Sequence, residues 1–329
     1  MDRQAPARGG RPPVKPLVSV VIPAYNAGPF IEVSVESALT QSFRDLEVIV
    51  VNDGSTDDTA ERLSAFHDPR LRLIEQSNQG YASALNTGIR ASEGEYVGIL
   101  DADDVWQPAK LSRHIELHVE RSGIDLTFSW VEVIDVHGRP VKMPCPRWRG
   151  TISFPQLLTD YVIRTSSAVV MRRAAAEQAG LFDPALPRCI DFEFFLRVSL
   201  LRENNVCAIP DVLTGYRRHA AQRTRDWQRI RQGWNQMLAS LRPRAPEQVA
   251  RVEKLASSNM HRYYAAIAYE GSNFREALQL IARSCSLSPG AFVRDPRNWK
   301  MTAAAIAGVT LPGKALLAVE RAAGYERPE

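Results

Sequence analysis

The chain has 329 residues, of which 45% are hydrophobic and 24% are charged, and its formal net charge is +4. This composition excludes an intrinsically disordered chain and a collagen-like one, and the length suits one large domain with an appendage. A net charge this small does not call for a nucleic acid partner, so we predict none.

The cysteines and the first residues favour a reducing, non-secreted setting. Cys145, Cys189, Cys207 and Cys285 lie far apart without a Cys-x-x-Cys pair, which excludes the usual zinc and redox motifs. Residues 1–16 contain no apolar run, so we predict a disordered leader there rather than a signal peptide. We therefore predict a cytoplasmic protein, and peripheral association with the inner face of the membrane stays open.

From residue 17 the chain alternates between short apolar runs and helical patterns. The valine-rich runs are typical of strands buried on both faces of a parallel sheet, and they cover residues 17–22, 46–51, 71–74 and 96–100. Helical patterns cover residues 29–41, 57–66 and 81–91. Ser55 and Asp58 predict a capping box before the second helix. The alternation predicts an α/β doubly wound fold.

After residue 104 the pattern is less regular and then becomes helical. Strands are indicated at residues 125–135, 168–171 and 212–217. Helices are indicated at residues 108–121, 191–201, 250–270 and 274–285, with a final amphipathic piece ending near residue 323. We predict a leader over residues 1–16, an α/β domain over residues 17–220 and a helical C-terminal region over residues 221–329.

Residues 217–251 are rich in arginine. Aromatic residues that would stack on bases are few there, beyond Trp227 and Trp234, so a solvated helix face is favoured over an RNA-binding surface. Contact of this segment and the final amphipathic helix with anionic lipid is the open alternative.

Polar residues follow three of the predicted strands at their carboxyl ends, where open α/β sheets bind ligands. Asp101, Asp103 and Asp104 follow the fourth run, and such carboxylates suit Mg²⁺ or Mn²⁺ shared with a phosphate. A helix N-cap cluster explains them equally well. Asp53 follows the second apolar run, and residues 23–26 follow the first. Taken alone, each of these two segments is most simply explained as a turn. The three pieces together predict one crevice.

These pieces, in this order, resemble the family-2 glycosyltransferases. The resemblance rests on VSVVIPAYN at 18–26, EVIVVNDGSTD at 47–57, NQG at 78–80, NTG at 86–88, and GEY with LDADD within 94–104. It covers about residues 17–220 and is most specific over the first hundred. It implies the GT-A fold, a mixed sheet flanked by helices, here with an α-helical C-terminal appendage.

The resemblance also implies which residues bind the donor. Asp53 is expected at the base and Asp101 near the ribose. Asp103, with His219, is expected to hold Mn²⁺ or Mg²⁺ at the diphosphate, although His219 in a basic stretch also suits the surface. The implied nucleotide-sugar-binding set is Pro23, Ala24, Tyr25, Asn26, Asp53, Gly80, Asn86, Asp101, Ala102 and Arg217.

Asp191 falls on the position of the family's general base. In an inverting transfer this carboxylate takes the proton of the acceptor hydroxyl as it attacks. Ile190 replaces an acid that commonly precedes the base, and Glu193 is the fallback. Asp191 can cap its helix at the same time, and Arg197 is expected to be a structural ion-pair partner.

The chain is therefore expected to be an inverting, metal-dependent glycosyltransferase acting in cell-surface glycan or glycoconjugate synthesis. It would move a sugar from a nucleoside-diphosphate donor, most often a UDP-sugar, to a hydroxyl of a glycan or lipid-linked acceptor. A nucleotidyltransferase would need a glycine-rich basic loop after the first strand, which residues 23–28 do not form. The alternative class is a degenerate scaffold acting through its helical tail, against which the intact Asp101, Asp103 and Asp191 argue.

Overall fold

The computed structural model describes residues 15–143, 145, 147–219 and 226–322. The predicted leader at residues 1–16 lies almost wholly outside the described residues, and so does the predicted boundary at residue 220. Within the described part, a nine-stranded mixed sheet is flanked by helices, which confirms the predicted α/β class.

The strands form one sheet in the order β3-β2-β1-β4-β8-β6-β9-β5, and β7 pairs with β9 at the side. Strands β1 to β4 are parallel, β8 is antiparallel to both β4 and β6, and β9 is parallel to β6. The bounds are β1 Val18–Ala24, β2 Leu46–Asp53, β3 Leu71–Gln76, β4 Tyr96–Ile99, β5 Val105–Trp106, β6 Leu126–Ile134, β7 Gly150–Thr151, β8 Val169–Arg172 and β9 Val206–Arg217.

The helices between the strands cover both faces of the sheet, and those after β9 pack at one end. The first seven are α1 Ile31–Leu39, α2 Thr59–Ser64, α3 Tyr81–Ala91, α4 Lys110–Glu120, α5 Phe154–Asp160, α6 Arg173–Gln178 and α7 Ile190–Ser199. The later ones are α8 Trp227–Leu241, α9 Pro246–Glu270, α10 Phe274–Leu287, α11 Pro289–Arg294, α12 Pro296–Thr310 and α13 Gly313–Ala322.

Two hydrophobic cores lie on the two faces of the sheet, as the unbroken apolar runs predict. In β1, Val18, Val20 and Ile22 pack into one core, whereas Val21 packs into the other. All four side chains are fully buried. Burial on both faces thus fixes β1 at the centre of the sheet and brings its carboxyl end beside those of β2 and β4.

The predicted capping box before α2 is wrong. Ser55 Oγ instead accepts the backbone N–H of Asn26 at 3.0 Å, which ties the loop after β2 to the loop after β1. Asp57 Oδ1 accepts the N–H of Thr59 at 3.1 Å and takes over the start of the helix. Both polar residues are therefore used to shape the crevice.

The C-terminal helices share the larger core with the sheet domain. Trp227 and Trp234 of α8 are buried in the same cluster as Phe192 of α7. At Gly233 of α8, a Cβ atom would lie 2.4 Å from the carbonyl oxygen of Arg188, so the helix touches that backbone directly. Within the described ranges, no helix combines the length and apolar character needed to cross a bilayer.

Candidate active site

A cavity of about 920 Å³ opens at the carboxyl ends of β1, β2 and β4. Its other wall comes from the end of α5, the segment before α7, and the helices α9 and α12. It is lined by most of the expected residues, namely Pro23, Ala24, Tyr25, Asn26, Asp53, Asp101, Ala102, Asp103, Asp191 and His219. Gly80, Asn86 and Arg217 are not among the lining residues.

Asp53 ends β2 and is almost fully buried. Its Oδ1 accepts hydrogen bonds from the Gln76 side chain at 2.7 Å and the Gln79 backbone at 2.8 Å, and its Oδ2 accepts the Gly80 N–H at 2.8 Å. Gly80 has a φ of 89°, which other residues adopt only with strain. Gly80 therefore does not line the cavity, and its N–H holds the Asp53 carboxylate from outside.

The loop after β1 is fixed by Asn26, which has a φ of 50°. Its side-chain Oδ1 accepts the backbone N–H of Thr56 at 2.8 Å, beside the bond from its own N–H to Ser55. Tyr25 next to it is 44% exposed although it lines the cavity. An aromatic ring held this way is available for stacking on a planar ligand.

Asp101 follows β4 and accepts three hydroxyl hydrogen bonds. Tyr81 donates to Oδ1 at 2.7 Å, and Ser166 and Thr165 donate to Oδ2 at 2.9 and 3.3 Å. Burial, followed by the charge of Asp103, raises the pKa of Asp101 to about 6. Its carboxyl group is thus held in one orientation and binds a proton more tightly than an exposed aspartate.

Asp103 and His219 meet across the cavity floor. His219 Nε2 lies 2.9 Å from Asp103 Oδ2, and both side chains are partly exposed. Carboxylate oxygen and imidazole nitrogen are donors that a divalent cation such as Mn²⁺ accepts. Among the described residues, no group of three or more His, Cys, Asp or Glu side chains is arranged to hold an ion. The pair therefore fits an ion whose remaining ligands are water or phosphate oxygens.

Arg217 lies in β9, buried behind the acidic motif rather than in the cavity. Its backbone N–H donates to Asp104 Oδ1 at 2.9 Å, and its Nε donates to the Asp103 carbonyl at 2.7 Å. Its Nη1 donates to the carbonyls of Asp135 and Val136 at 3.0 and 3.1 Å. This corrects the expectation that Arg217 contacts the nucleotide sugar, because the guanidinium fixes the turn that carries Asp103.

Asp191 stands in the first turn of α7, directly on the cavity. Its Oδ1 accepts the backbone N–H of Phe192 at 2.9 Å. The N-cap position is occupied by Cys189 and not by Asp191, so the expected capping role is wrong. Burial raises the pKa of its carboxyl group. Cys189, just before the helix, has a φ of 59°, and this left-handed turn places Asp191 on the wall. An anchored carboxylate with a raised pKa is suited to general base catalysis.

Glu193, the fallback base, is excluded by its surroundings. It is 2% exposed, and both its carboxylate oxygens accept hydrogen bonds from Arg197 Nε, at 2.8 and 2.9 Å. The Arg197 guanidinium also donates to the carbonyl of Leu181 at 2.6 Å. Arg197 is thus the structural ion-pair partner that the sequence predicts, and the pair locks α7 in the core.

Asn86 is buried in α3 and does not line the cavity. Its Nδ2 donates to the Phe182 carbonyl at 2.8 Å, and its Oδ1 accepts the Phe182 N–H at 2.9 Å. Both polar atoms of the amide are therefore used by the protein. This corrects the expectation that Asn86 binds the nucleotide sugar, since it ties α3 to the segment before α7.

The sequence profile described as Glycosyl transferase family 2 matches residues 19–180, which hold β1 to β4 and the acidic motif. Over these residues the chain belongs to glycosyltransferase family 2. It is 35% identical over 190 residues to chondroitin synthase from Escherichia coli, an alignment that covers 56% of this chain and 26% of that protein. The chain spans about a third or less of the length of several curated relatives that it matches.

Solved structures show the same fold. S. aureus TarS 1–349 in complex with UDP-GlcNAc superposes with a TM-score of 0.62 at 18% identity, over 89% of this chain and 90% of that one. The mannosyltransferase PcManGT from Pyrobaculum calidifontis, in complex with GDP-Man and Mn²⁺, superposes with a TM-score of 0.56 at 19% identity. That match covers 95% of this chain and 89% of the other. The glycosyltransferase therefore has the GT-A fold.

Four residues outside the predicted site hold Asp101, namely Tyr81, Thr165, Ser166 and Ser167. The Tyr81 hydroxyl contacts both Asp101 and Ser166, the latter at 2.6 Å. Ser167 Oγ accepts the backbone N–H of Asp101 at 2.9 Å. Ser166 and Ser167 therefore orient Asp101. Thr165 has no sequence signal that links it to this motif.

The residues that form the far wall of the cavity were also not among the predicted site residues. Tyr161 ends α5 with a φ of 46°, and its ring packs edge-on against Phe192 at 4.8 Å. Tyr263 of α9 stacks on Tyr161 at a centroid distance of 6.4 Å. Because the contact between Tyr161 and Tyr263 joins segments about a hundred residues apart, no local pattern in the sequence indicates it.

Proposed function

We propose that this glycosyltransferase transfers a sugar, with inversion, from a nucleoside-diphosphate donor to an acceptor hydroxyl. The observation that carries the proposal is that Asp53, Asp101, Asp103, His219 and Asp191 line a single cavity. Donor-binding groups and a base therefore face the same volume, at the sheet edge where α/β folds bind ligands. We propose UDP-sugars as the first donors to test, supported by the UDP-GlcNAc complex of TarS.

The residues at the β1 and β2 ends are suited to the nucleoside. Tyr25 offers an exposed ring, and Asp53 Oδ2 has lone-pair capacity beside its single bond to Gly80. Asp101, held by Tyr81 and Ser166, would contact the ribose. These groups would bind and orient the nucleoside.

Asp103 and His219 would hold Mn²⁺ or Mg²⁺ together with the diphosphate. The Mn²⁺ in the PcManGT complex supports this choice, and Mn²⁺ suits the imidazole better. When bound, such an ion stabilises negative charge on the leaving nucleoside diphosphate. The bond from Arg217 to the Asp103 carbonyl keeps the aspartate at its position.

Asp191 would act as the general base. The acceptor oxygen forms a bond to the anomeric carbon, the bond from that carbon to the diphosphate oxygen breaks, and the hydroxyl proton passes to the Asp191 carboxylate. A single displacement of this kind inverts the anomeric centre. The raised pKa of Asp191 brings its proton affinity closer to that required of a base at neutral pH.

We propose a glycan or lipid-linked acceptor at the inner face of the membrane, in cell-surface glycan synthesis. The outer face of α11 to α13 supports this, because it exposes large apolar side chains between basic ones. The apolar side chains are Val293, Trp299, Ile306, Val309, Leu311, Leu317 and Val319. The exposed charged residues from 293 to 319 are all basic. Arg294, Lys300 and Lys314 belong to this face, whereas Arg297 lines the cavity and pairs with Asp295. Apolar and basic groups together favour an anionic lipid surface.

The test is donor binding followed by turnover. Nucleoside diphosphates are screened by thermal shift with and without Mn²⁺, since a ligand at a hundred times its Kd stabilises the fold by about 2.7 kcal/mol. Release of nucleoside diphosphate from a panel of nucleotide sugars is then measured for wild type, Asp103→Ala and the exposed control Asp183→Asn. Loss of binding and release in Asp103→Ala alone is expected. No binding by the wild type, or an unaffected Asp103→Ala, would favour the scaffold alternative.

A further inference from the structure

Arg164 lies on the far wall of the cavity, three residues after Tyr161. Its side chain is partly buried, and its one hydrogen-bond contact among the described residues is a 4.0 Å approach of Nη2 to Met143 Sδ. No carboxylate of the described residues forms an ion pair with it. A cation in a partly desolvated site normally has an anionic partner, because removing it from water is unfavourable.

Two other arginines of the cavity differ from Arg164 in this respect. Arg262 pairs with Asp295 at 2.6 Å, and Arg297 pairs with the same carboxylate at 2.8 Å. Their charges are therefore already compensated within the protein. Arg188, which also lines the cavity, donates from Nη1 to the Pro187 carbonyl at 2.9 Å. Arg164 is thus a cavity cation without a described carboxylate beside it.

Arg164 belongs to the side of the cavity that carries Asp191. Burial raises the pKa of Tyr161 well above its usual value and the Asp191 charge adds to the rise, while Arg164 opposes it. Burial also raises the pKa of Tyr263, and the Arg164 charge again opposes the rise. Arg164 therefore shares a wall with Tyr161 and Tyr263, whereas Tyr25 and Asp53 lie at the ends of β1 and β2.

We propose that Arg164 binds an anionic group, a phosphate or a carboxylate, carried by the acceptor substrate. This inference rests on the proposed function, and it adds that the acceptor carries a negative charge. The planar guanidinium offers two parallel N–H donors that match either anion, and such charge-assisted pairs are strong in a partly dry site. Tyr161 and Tyr263 present rings beside it against which a sugar ring can pack.

The test uses small probes in place of the acceptor. Glycerol 3-phosphate and glucuronate, with glycerol and glucose as their neutral counterparts, are titrated by calorimetry into the protein saturated with Mn²⁺ and UDP. We expect at least one of the two anions to bind. Arg164→Met should raise the Kd of that anion at least about tenfold. Arg164→Lys should retain part of it. The comparison of the two anions separates a phosphate from a carboxylate ligand.

The matched control is Arg90→Met, which removes an exposed arginine at the end of α3 outside the cavity. It should bind the probes as the wild type does, and Arg164→Met should keep the wild-type Kd for UDP. Weaker UDP binding in Arg164→Met would assign Arg164 to the donor and overturn the proposal. So would equal binding of charged and neutral probes, or no binding of any probe. Failure of UDP and GDP to bind the wild type would instead refute the proposed function.

Discussion

At the scale of single residues, the acids in and beside the cavity have different neighbours. Burial and then the charge of Asp103 raise the pKa of Asp101 to about 6, although the hydroxyl groups of Tyr81 and Ser166 act to lower it. Asp191 has one backbone donor, and burial raises its pKa. Glu193 is neutralised by Arg197 in the core. Three acids within one region therefore suit three tasks: ligand orientation, proton acceptance and structural pairing.

Asp191→Asn should abolish most of the turnover and leave donor binding unchanged. An amide cannot take the hydroxyl proton, and loss of a general base lowers kcat by roughly 10²- to 10⁴-fold. In the wild type, the pKa reported by the acidic limb of the kcat/KM profile should lie above the usual pKa range of an aspartate, because burial raises the pKa of Asp191. Steady-state kinetics and UDP titration measure both effects. Wild-type kcat in the variant would show that another group is the base.

His118 makes the fold sensitive to acid. It is fully buried between α4 and the sheet, 3.1 Å from Thr127 Oγ1, and burial lowers its pKa to about 4. The folded state binds the proton less tightly than the unfolded state, whose histidine pKa is about 6.5. His118 therefore contributes stability above that pH and the contribution is lost as pH falls towards 4, by about 2 kcal/mol from pH 7 to pH 5. The charge of Arg172 acts in the same direction, and that of Asp125 opposes it.

The comparison of His118→Gln with the exposed His137→Gln measures this effect. Urea unfolding at pH 7 and pH 5 should show a smaller pH-dependent loss of stability in His118→Gln than in wild type. His137→Gln should follow the wild type. Equal losses in all three proteins would show that His118 does not control the acid sensitivity.

At the scale of elements, α3 is attached to the segment before α7 through one amide. Asn86→Ala removes two hydrogen bonds and leaves the Phe182 N–H and carbonyl buried without that partner. We expect a loss of about 2 kcal/mol of unfolding free energy, with an unchanged KM for the donor. Urea unfolding and kinetics are the measurements, and Asn78→Ala, an exposed asparagine before the same helix, is the control. A raised donor KM at unchanged stability would restore Asn86 to the binding site.

The same elements show what a single sequence can predict. Buried parallel strands are predictable because both faces must be apolar, and β1, β2 and β4 are buried where the apolar runs place them. Strand β3 also lies where it is predicted, but it is an edge strand without a buried residue, so the expectation that both its faces are buried is wrong. Arg217 and Asn86 belong to conspicuous motifs, but a motif does not show that their polar atoms bind backbone groups behind the cavity. Helix α5 was missed although Ser153 and Gln156 form a capping box at its start. The far wall depends on contacts between α5, α7 and α9, which leave no local pattern.

At the scale of the whole molecule, the outer face of α11 to α13 is expected to bind anionic membranes. Ile306→Asp places a charge in the middle of this apolar and basic face, which should prevent its insertion below the headgroups. Flotation with phosphatidylcholine vesicles, with and without phosphatidylserine, measures binding. Wild type and the control Val119→Asp, on the exposed side of α4, should float only with phosphatidylserine. Flotation of Ile306→Asp with the wild type would assign this face to another partner.

The close contact at Gly233 joins helix α8 to the segment before α7. Any side chain at this position would have to displace the Arg188 backbone, which leads through Cys189 to Asp191. Asp191, the proposed base, thus lies next to backbone that touches a helix beyond the family's matched region. A side chain introduced at residue 233 is therefore expected to shift the loop before α7 and to lower turnover without touching the cavity. The position of the proposed base is in this sense set partly from outside the family's matched region.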